Sequence, residues 1–474
     1  MTEETGIVTN LIVQTGAMLK GAAERIRRSV LCRFAMIGAI VLAMLVPMSM
    51  VEDVVSERGG RHRAVLAEIA GLWGHQQSLI GPILVLPYRE KIVAEKQAID
   101  KLGRWKKTDE IAYRERTAIA LPATLDLDMR LETTQRSRGI YEALVYGADV
   151  SLKAAFAKPE IAKLVDEEVE FEVDWNKAYL AVGLSDMHAI KEVTTPTWAG
   201  EPVRVAPATR LDKLLKSGFH VPLEAWTGEG ERFEFTLALK LNGSNGFSFA
   251  PVAERTEARI ASNWPHPSFQ GTTLPASHRI DKAGFEATWR IPALARGLPW
   301  LWSLGAERHR LAGFSTGVVI AEPVHLYAKV ERAVKYAILY VALTFLAFLV
   351  FELLLGARLH LVQYGLVGLA LSLFYLTLLS LAEHIAFGAA YLAAAAVIVV
   401  MIAGYAWAAL RSRSQAAIAA VALSALYAVL YTILRMEDFA LLAGTGLLIL
   451  VTALLMLVTR NLGRANAPAA EAAG

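Results

Sequence analysis

Residues Gln363 to Phe387 read QYGLVGLALSLFYLTLLSLAEHIAF, an apolar run that closes on an adjacent acid and imidazole, Glu383 and His384. At 1.5 Å of rise per residue, the run from Tyr364 to Glu383 covers about 30 Å, the thickness of a bilayer's hydrocarbon core. It therefore reads as a membrane helix with a polar end. Similar runs surround it at Ala337 to Leu355, Ile385 to Leu410, Ala416 to Leu434 and Phe439 to Val458. The last third of the chain is a membrane block.

Composition divides the chain at the same place. Hydrophobic residues make up 55% of 474, a high share for a wholly soluble protein. Charges are frequent from Glu52 to Lys335 and confined to brief clusters afterwards. A net charge of +3, without a dense basic patch interleaved with aromatics, argues against a nucleic-acid partner. The single cysteine, Cys32, cannot form an intramolecular disulfide, so an exported domain must be held by its core.

Ahead of the block, Gly6 to Arg28 reads as a basic interfacial helix, and Phe34 to Val51 is apolar enough to span once. The long N-terminal segment, the length of the apolar run and the lack of an Ala-x-Ala site favour an uncleaved anchor over a signal peptide. Arg25, Arg27, Arg28 and Arg33 precede this span and should stay in the cytoplasm. With six spans, Arg358, Arg411, Arg413, Arg460 and Arg464 also fall inside, and Arg435 alone among the basic residues falls in an outward turn. The expected order is a cytoplasmic segment 1–33, an anchor 34–51, a periplasmic domain 52–336, five helices in 337–458 and a cytoplasmic tail 459–474. The tail's Ala-rich composition reads as disordered.

Within 52–336, Val65, Ile69, Leu72 and Trp73 suggest an amphipathic helix ending near Gly74. Gly81-Pro82 reads as a turn into a short strand, Ile83 to Leu86, closed by Pro87. Apolar residues then alternate at Leu125, Leu127, Met129, Leu131, at Val169, Phe171, Val173, Trp175, and at Phe233 through Leu241. That period of two predicts a β-rich, antiparallel domain (α+β with its helical entry), as one sandwich-like body or two lobes with a seam at Thr194 to Pro207.

The densest local signal is Ala261 to Gly271, ASNWPHPSFQG, followed by Gly284-Phe285 and Trp289. Prolines on both sides of His266 exclude helix and central strand, which predicts a shaped loop. Trp264, His266, Ser268, Phe269 and Trp289, with Glu383 and His384, are the candidate interaction or docking residues. The plainer readings are a histidine bonded within its own loop, and a solvated turn at Glu383-His384.

These motifs in this order resemble the family of inner-membrane CreD proteins. The features that carry the likeness are Gly81-Pro82-Ile83-Leu84-Val85-Leu86-Pro87-Tyr88, the Ser262 to Gly271 loop, Gly284-Phe285 with Trp289, and Gln363 to Tyr391 with Leu373-Phe374-Tyr375 and Glu383-His384. The resemblance runs from Phe34 to about Leu457. It implies a Gram-negative inner-membrane protein with a large periplasmic domain, in a family tied to a carbon-source-responsive regulon, cell-envelope integrity, envelope stress and β-lactam response. The family offers no catalytic residues to carry over.

The residues give little support to an enzyme. No histidine pair has the helical spacing of a metal site, though His266, His278 and Asp281 could converge, and Ser268 lies in no nucleophile elbow. No cofactor or metal is expected. A transporter would need ionisable groups at the midplane, whereas these helices offer Ser372, Tyr375, Thr377 and Ser380, with Glu352 near an end where water or Arg358 can reach it. The expectation is a non-enzymatic envelope protein, with membrane lipid and an unknown envelope-protein or cell-wall partner. Transport is the first alternative and a periplasm-facing enzyme the second.

Overall fold

The computed structural model describes residues 30–99, 105–295, 297–305, 311–320, 326–355 and 360–435, with scattered positions from 442 to 456. The basic segment Gly6 to Arg28, the tail 459–474 and most of the span Phe439 to Val458 lie outside the described residues. The chain forms two compact units, one of Met1–His62 with Val324–Gly474 and one of Arg63–Pro323.

The first unit is helical. Its elements are α1 (Val30–Ala43), α2 (Leu45–Trp73, of which residues up to His62 belong here), α3 (Leu326–Lys335), α4 (Ala337–Leu355), α5 (Leu361–Ala382), α6 (Phe387–Leu410) and α7 (Arg413–Arg435). Among the described residues four helices are long and apolar enough to cross a bilayer, and α3 with α4, bent by 46°, makes a fifth. The helix that carries the expected anchor runs on beyond it, since Glu52 to His62 is helical as well. Glu and Arg are good helix formers there, and Gly59-Gly60 does not break the helix. Pro47 lies in the first turn of α2, where its missing N–H is cheapest, directly after the irregularity at Met44.

Ile37, Met48, Val51 and Val55 are buried in the same apolar cluster as Phe345, Tyr364, Phe374 and Tyr391. At its centre Phe374 meets Tyr375, Tyr391 and Tyr427, and the Tyr391 hydroxyl donates to the Tyr427 carbonyl at 2.7 Å. Gly368 lets α5 approach its neighbours, since a Cβ there would press on Met44 and Phe345. Gly365 and Gly404 face open space, so close packing explains only part of the glycine content.

The second unit is β-rich. Its long strands are β1 (Gln77–Ile99), β2 (Trp105–Ala120), β3 (Thr124–Arg138) and β4 (Tyr141–Ala157). One sheet of ten strands centres on β1, and the other, of nine, runs Ser277–Asp281, Gly284–Pro292, Arg255–Ser262, β3, β4, Arg232–Ser244 and two short strands beyond. Pairing is mostly antiparallel, but β1 with Gly246–Phe249 and β3 with Arg255–Ser262 are parallel. A single apolar cluster holds buried residues of both sheets. Leu125, Leu127, Met129 and Leu131, and Phe233, Phe235, Leu237, Leu239 and Leu241, all point into it.

Three local expectations change. Gly81-Pro82, a cis bond, is no turn: β1 runs straight through, and the register shift between Ile80 and Ile83 takes up the proline as a bulge. Phe171 is exposed and its strand has only three residues, Phe171–Val173, with Trp175 in a 3-10 turn. The stretch Thr194 to Pro207 gives short strands to both sheets, and its Trp198 stacks on Phe233 at 5.4 Å and meets Trp226 edge-on. It lies inside one compact unit.

Candidate functional site

In the β unit, the loop expected at 261–271 is shorter than its prolines suggest. Only Asn263 to His266 are irregular, and Pro267–Gly271 is a strand at the end of the ten-stranded sheet, paired with Thr316–Ile320. Pro267 opens that edge strand, a position where a missing N–H costs no ladder bond. The loop is fixed by Asn263, whose Oδ1 accepts from the Thr133 N–H at 2.8 Å and the Thr133 hydroxyl at 2.7 Å. Its Nδ2 donates back to the Thr133 carbonyl at 3.3 Å.

The residues singled out there have different roles. Trp289 is fully buried, donates to the Thr273 carbonyl at 3.2 Å and packs on Phe249 and Phe269, so it serves the core. Phe269 is half-buried against Phe285 and Trp289, with His278 on its other side. Trp264 is half-buried beside His266, at 5.9 Å between ring centres. Only His266 and Ser268 are exposed. His266 thus meets Trp264 while His278 meets Phe269, and among the described residues no three of His, Cys, Asp and Glu gather as a metal site would require.

In the helical unit, Glu383 is the better-built site. It caps α5, its side chain is 10% exposed, and it accepts a hydrogen bond from the Tyr327 hydroxyl at 3.0 Å. Arg58 lies 3.8 Å from its other oxygen. Tyr327 in turn meets the ring of His62 and stands over Gly59. His384 is exposed. Glu383 is therefore no solvated turn: it draws together α2 and α3, the two segments on either side of residues 63–323 in the chain.

A second carboxylate sits at the other end of α5. Glu352, buried on α4, forms an ion pair with Arg33 and accepts from the Tyr364 hydroxyl at 3.3 Å. The start of α5 is set by His360 and Gln363, because Gln363 Oε1 accepts from the His360 N–H at 2.8 Å and His360 Nδ1 from the Val362 N–H at 3.3 Å. That capping places Tyr364 one residue on, in reach of Glu352. The sequence offered Arg358 or water as the partner, but the cation is Arg33, and Arg358 lies outside the described residues. Arg33, Arg58, Tyr327 and Asn263 are the residues that sequence reading missed. Each acts across a long separation, with no local pattern to announce it.

Several apolar helices, with carboxylates held by arginine and tyrosine at their ends, and a large two-sheet domain between the first helices and the rest define an integral membrane protein. The family model described as Inner membrane protein CreD matches residues 29–463, and the chain belongs to that family of inner membrane proteins. It is 32% identical over 432 residues to the Inner membrane protein CreD of Escherichia coli (strain K12), covering 90% of this chain and 92% of the relative. Among solved structures, an M1 zinc metallopeptidase from Deinococcus radiodurans aligns at TM-score 0.21 and 10% identity, over 43% of this chain and 44% of that one. A likeness that low fixes neither fold nor chemistry.

Proposed function

We propose that this chain spans the inner membrane six times with both termini cytoplasmic and residues 63–323 periplasmic, and that it supports envelope integrity and the response to envelope stress or β-lactams without catalysing a reaction. The observation that carries the reading is Glu383, one carboxylate engaging both α2 and α3. A membrane unit that ties both flanks of its inserted domain to one point suits a holding role. Orientation is supported by charge: Arg33, Arg411 and Arg413 share the end opposite Glu383, as cytoplasmic basic residues would. A holding role is favoured over transport by the hydroxyls of Thr344, Ser372 and Thr377, which are engaged by carbonyls one turn back on their own helices.

The test is complementation. Cells lacking the protein are supplied with the full chain or with Arg58→Ala/Glu383→Ala, and scored for survival under a β-lactam and for leakage of a periplasmic enzyme. The expected result is lost protection at equal abundance. Full protection by the double variant would remove the tie from the function, and solute flux in reconstituted vesicles would favour transport.

A further inference from the structure

The geometry points to a second copy of this chain as the partner of the outer edge of β2, paired antiparallel about a two-fold axis at Thr108. Strands β1 and β2 pair continuously from Leu84↔Ala120 to Ile99↔Trp105. Among the described residues, the strand beside this part of β1 reaches Glu90, with the Lys91 N–H still bonded to the Glu170 carbonyl, and the strand on the far side of β2, Leu301–Ser303, covers Ala118 to Ala120. Among the described residues, the ribbon from Ile92↔Ala112 to Ile99↔Trp105 therefore has no third strand on either side. It extends about 27 Å at roughly 3.4 Å per residue. A two-stranded ribbon is marginal alone, and an open strand edge is a template for pairing.

The sequence of that edge is complementary to itself when reversed. Residues 105–111 read WKKTDEI. Antiparallel pairing about Thr108 sets Lys107 opposite Asp109 of the second copy, Lys106 opposite Glu110, and Trp105 opposite Ile111, each pair occurring twice. Opposite charges facing one another across strands are favourable, and like charges are not.

Backbone direction agrees with this register. The Thr117 carbonyl accepts from the Leu304 N–H on the side of β2 away from β1, and β2 has no register break, so its odd-numbered residues turn their N–H and C=O groups outward. The register about Thr108 matches odd residues with odd. Residues 105, 107, 109 and 111 would thus exchange backbone bonds with the second copy, and Thr108 would form the close, non-bonded central pair.

The ribbon's own pairs continue the argument. Glu95 and Asp109, two acidic residues, are partners in the ribbon's register, and the register about Thr108 places Lys107 of the second copy next in that row. Val93, 69% exposed, stands opposite Ile111, 58% exposed, and Trp105 and Ile99 of the second copy would extend them into an apolar row across four strands. This is an isologous, closed contact, which ends at two copies. It does not depend on the role proposed above.

The test uses full-length protein in native membranes with Cys32→Ser and a single new cysteine. Under mild oxidation Thr108→Cys should form a disulfide-linked homodimer, since Cα atoms of a central non-bonded pair lie about 4.5 Å apart, within disulfide reach. Arg114→Cys, on the same ribbon but remote from its own counterpart, should not. Adding Lys106→Glu/Lys107→Glu should cut the Thr108→Cys yield by at least about tenfold, because four attractive pairs become repulsive. Adding Asp109→Lys/Glu110→Lys as well should restore it. A maleimide-accessible Thr108→Cys that forms no homodimer, equal crosslinking at both positions, or capture of a different protein overturns the proposal.

Discussion

Arg33 on α1 and Glu352 on α4 form an ion pair in which the Glu352 side chain is 4% exposed and the Arg33 side chain 26%. Tyr364 on α5 completes it with a hydroxyl. Three helices, one from before the β domain in sequence and two from after it, therefore meet at one buried charge.

Removing that charge should be costly. Glu352→Ala leaves Arg33 without its counterion inside the bundle, and loss of one partner of a buried pair costs about 3 to 5 kcal/mol, here toward the lower figure because Arg33 is partly solvated. Thermal unfolding of purified protein in detergent should show a clear loss for Glu352→Ala and a smaller one for Glu352→Gln, which still accepts from Tyr364. Equal stability of all three forms would show that the pair contributes nothing.

At the other end of α5, Glu383→Ala should loosen α2 and α3 while leaving abundance and topology intact. Limited proteolysis in membranes should then cut faster between Glu52 and Arg61 and between Ala328 and Lys335, both helical in the intact protein. Tyr327→Phe, which removes the 3.0 Å bond and keeps the ring against His62, should do the same more weakly. Unchanged cleavage in both would dismiss the tie.

In the β unit, Tyr146 joins the sheets through its hydroxyl, which donates to the Gly246 carbonyl at 2.6 Å. Burial pushes its phenol well above the usual range, so the group remains a donor at any ordinary pH. Gly243 lies flat against that ring, and a Cβ there would press into it. Gly243→Ala should destabilise residues 63–323 by about 1 to 3 kcal/mol, and Tyr146→Phe by about 1 kcal/mol, both read from urea midpoints.

Acid should weaken the same unit through surface pairs. The Arg259 guanidinium, by hydrogen bond and by charge, holds Glu286 below the usual carboxylate range, and the Lys91 ammonium does the same for Glu170. A depressed folded-state value means stability present above the unfolded value, near about 4.3, and lost as pH falls through the folded one. The melting temperature should be flat from neutral pH to about 5 and then decline. Glu286→Gln should blunt the decline slightly, and high salt should shrink the difference, because these pairs are exposed. A decline that begins near neutral pH would implicate other groups.

Topology is checked with reporters active only in the periplasm. Fusion at Asn245 should be active and fusion at Ser412, between Arg411 and Arg413, inactive. Activity at Ser412 would overturn the six-span orientation.

Much of this architecture was legible because burial leaves a periodic trace. Ala337 to Leu355 matches α4 end to end, and the alternation at Leu125 to Leu131 and Phe233 to Leu241 marks two strands that face the common core. Local punctuation misled where tertiary pairing overrode it. Pro82 and Pro87 stop a strand on paper, yet partners on both sides carry β1 past them. Val65 to Trp73 looks like a helix of its own only because charges interrupt the apolar pattern, which a helix leaving a membrane tolerates. Glu383 was visible as an oddity, but Tyr327 and Arg58 were not, since a contact between distant segments has no spacing to read. The Thr108 edge is the converse case, where a palindrome of charge is plain in the sequence and acquires meaning only beside the register of β1 and β2.

The two carboxylate clusters also join the helices at two separate levels. Arg33 and Arg58 lie on one helical run with about 37 Å of helix between them, and their partners' levels on α5, Tyr364 and Glu383, are about 28 Å apart. Pinned at both levels, the helices cannot slide past one another to shorten or lengthen their apolar band. A bilayer whose core departs from about 30 Å must be met by tilting the block as a whole or by deforming the lipid around it, each at a cost that grows with every ångström of mismatch. Mismatch is then borne by the block and its lipid, not absorbed between its helices.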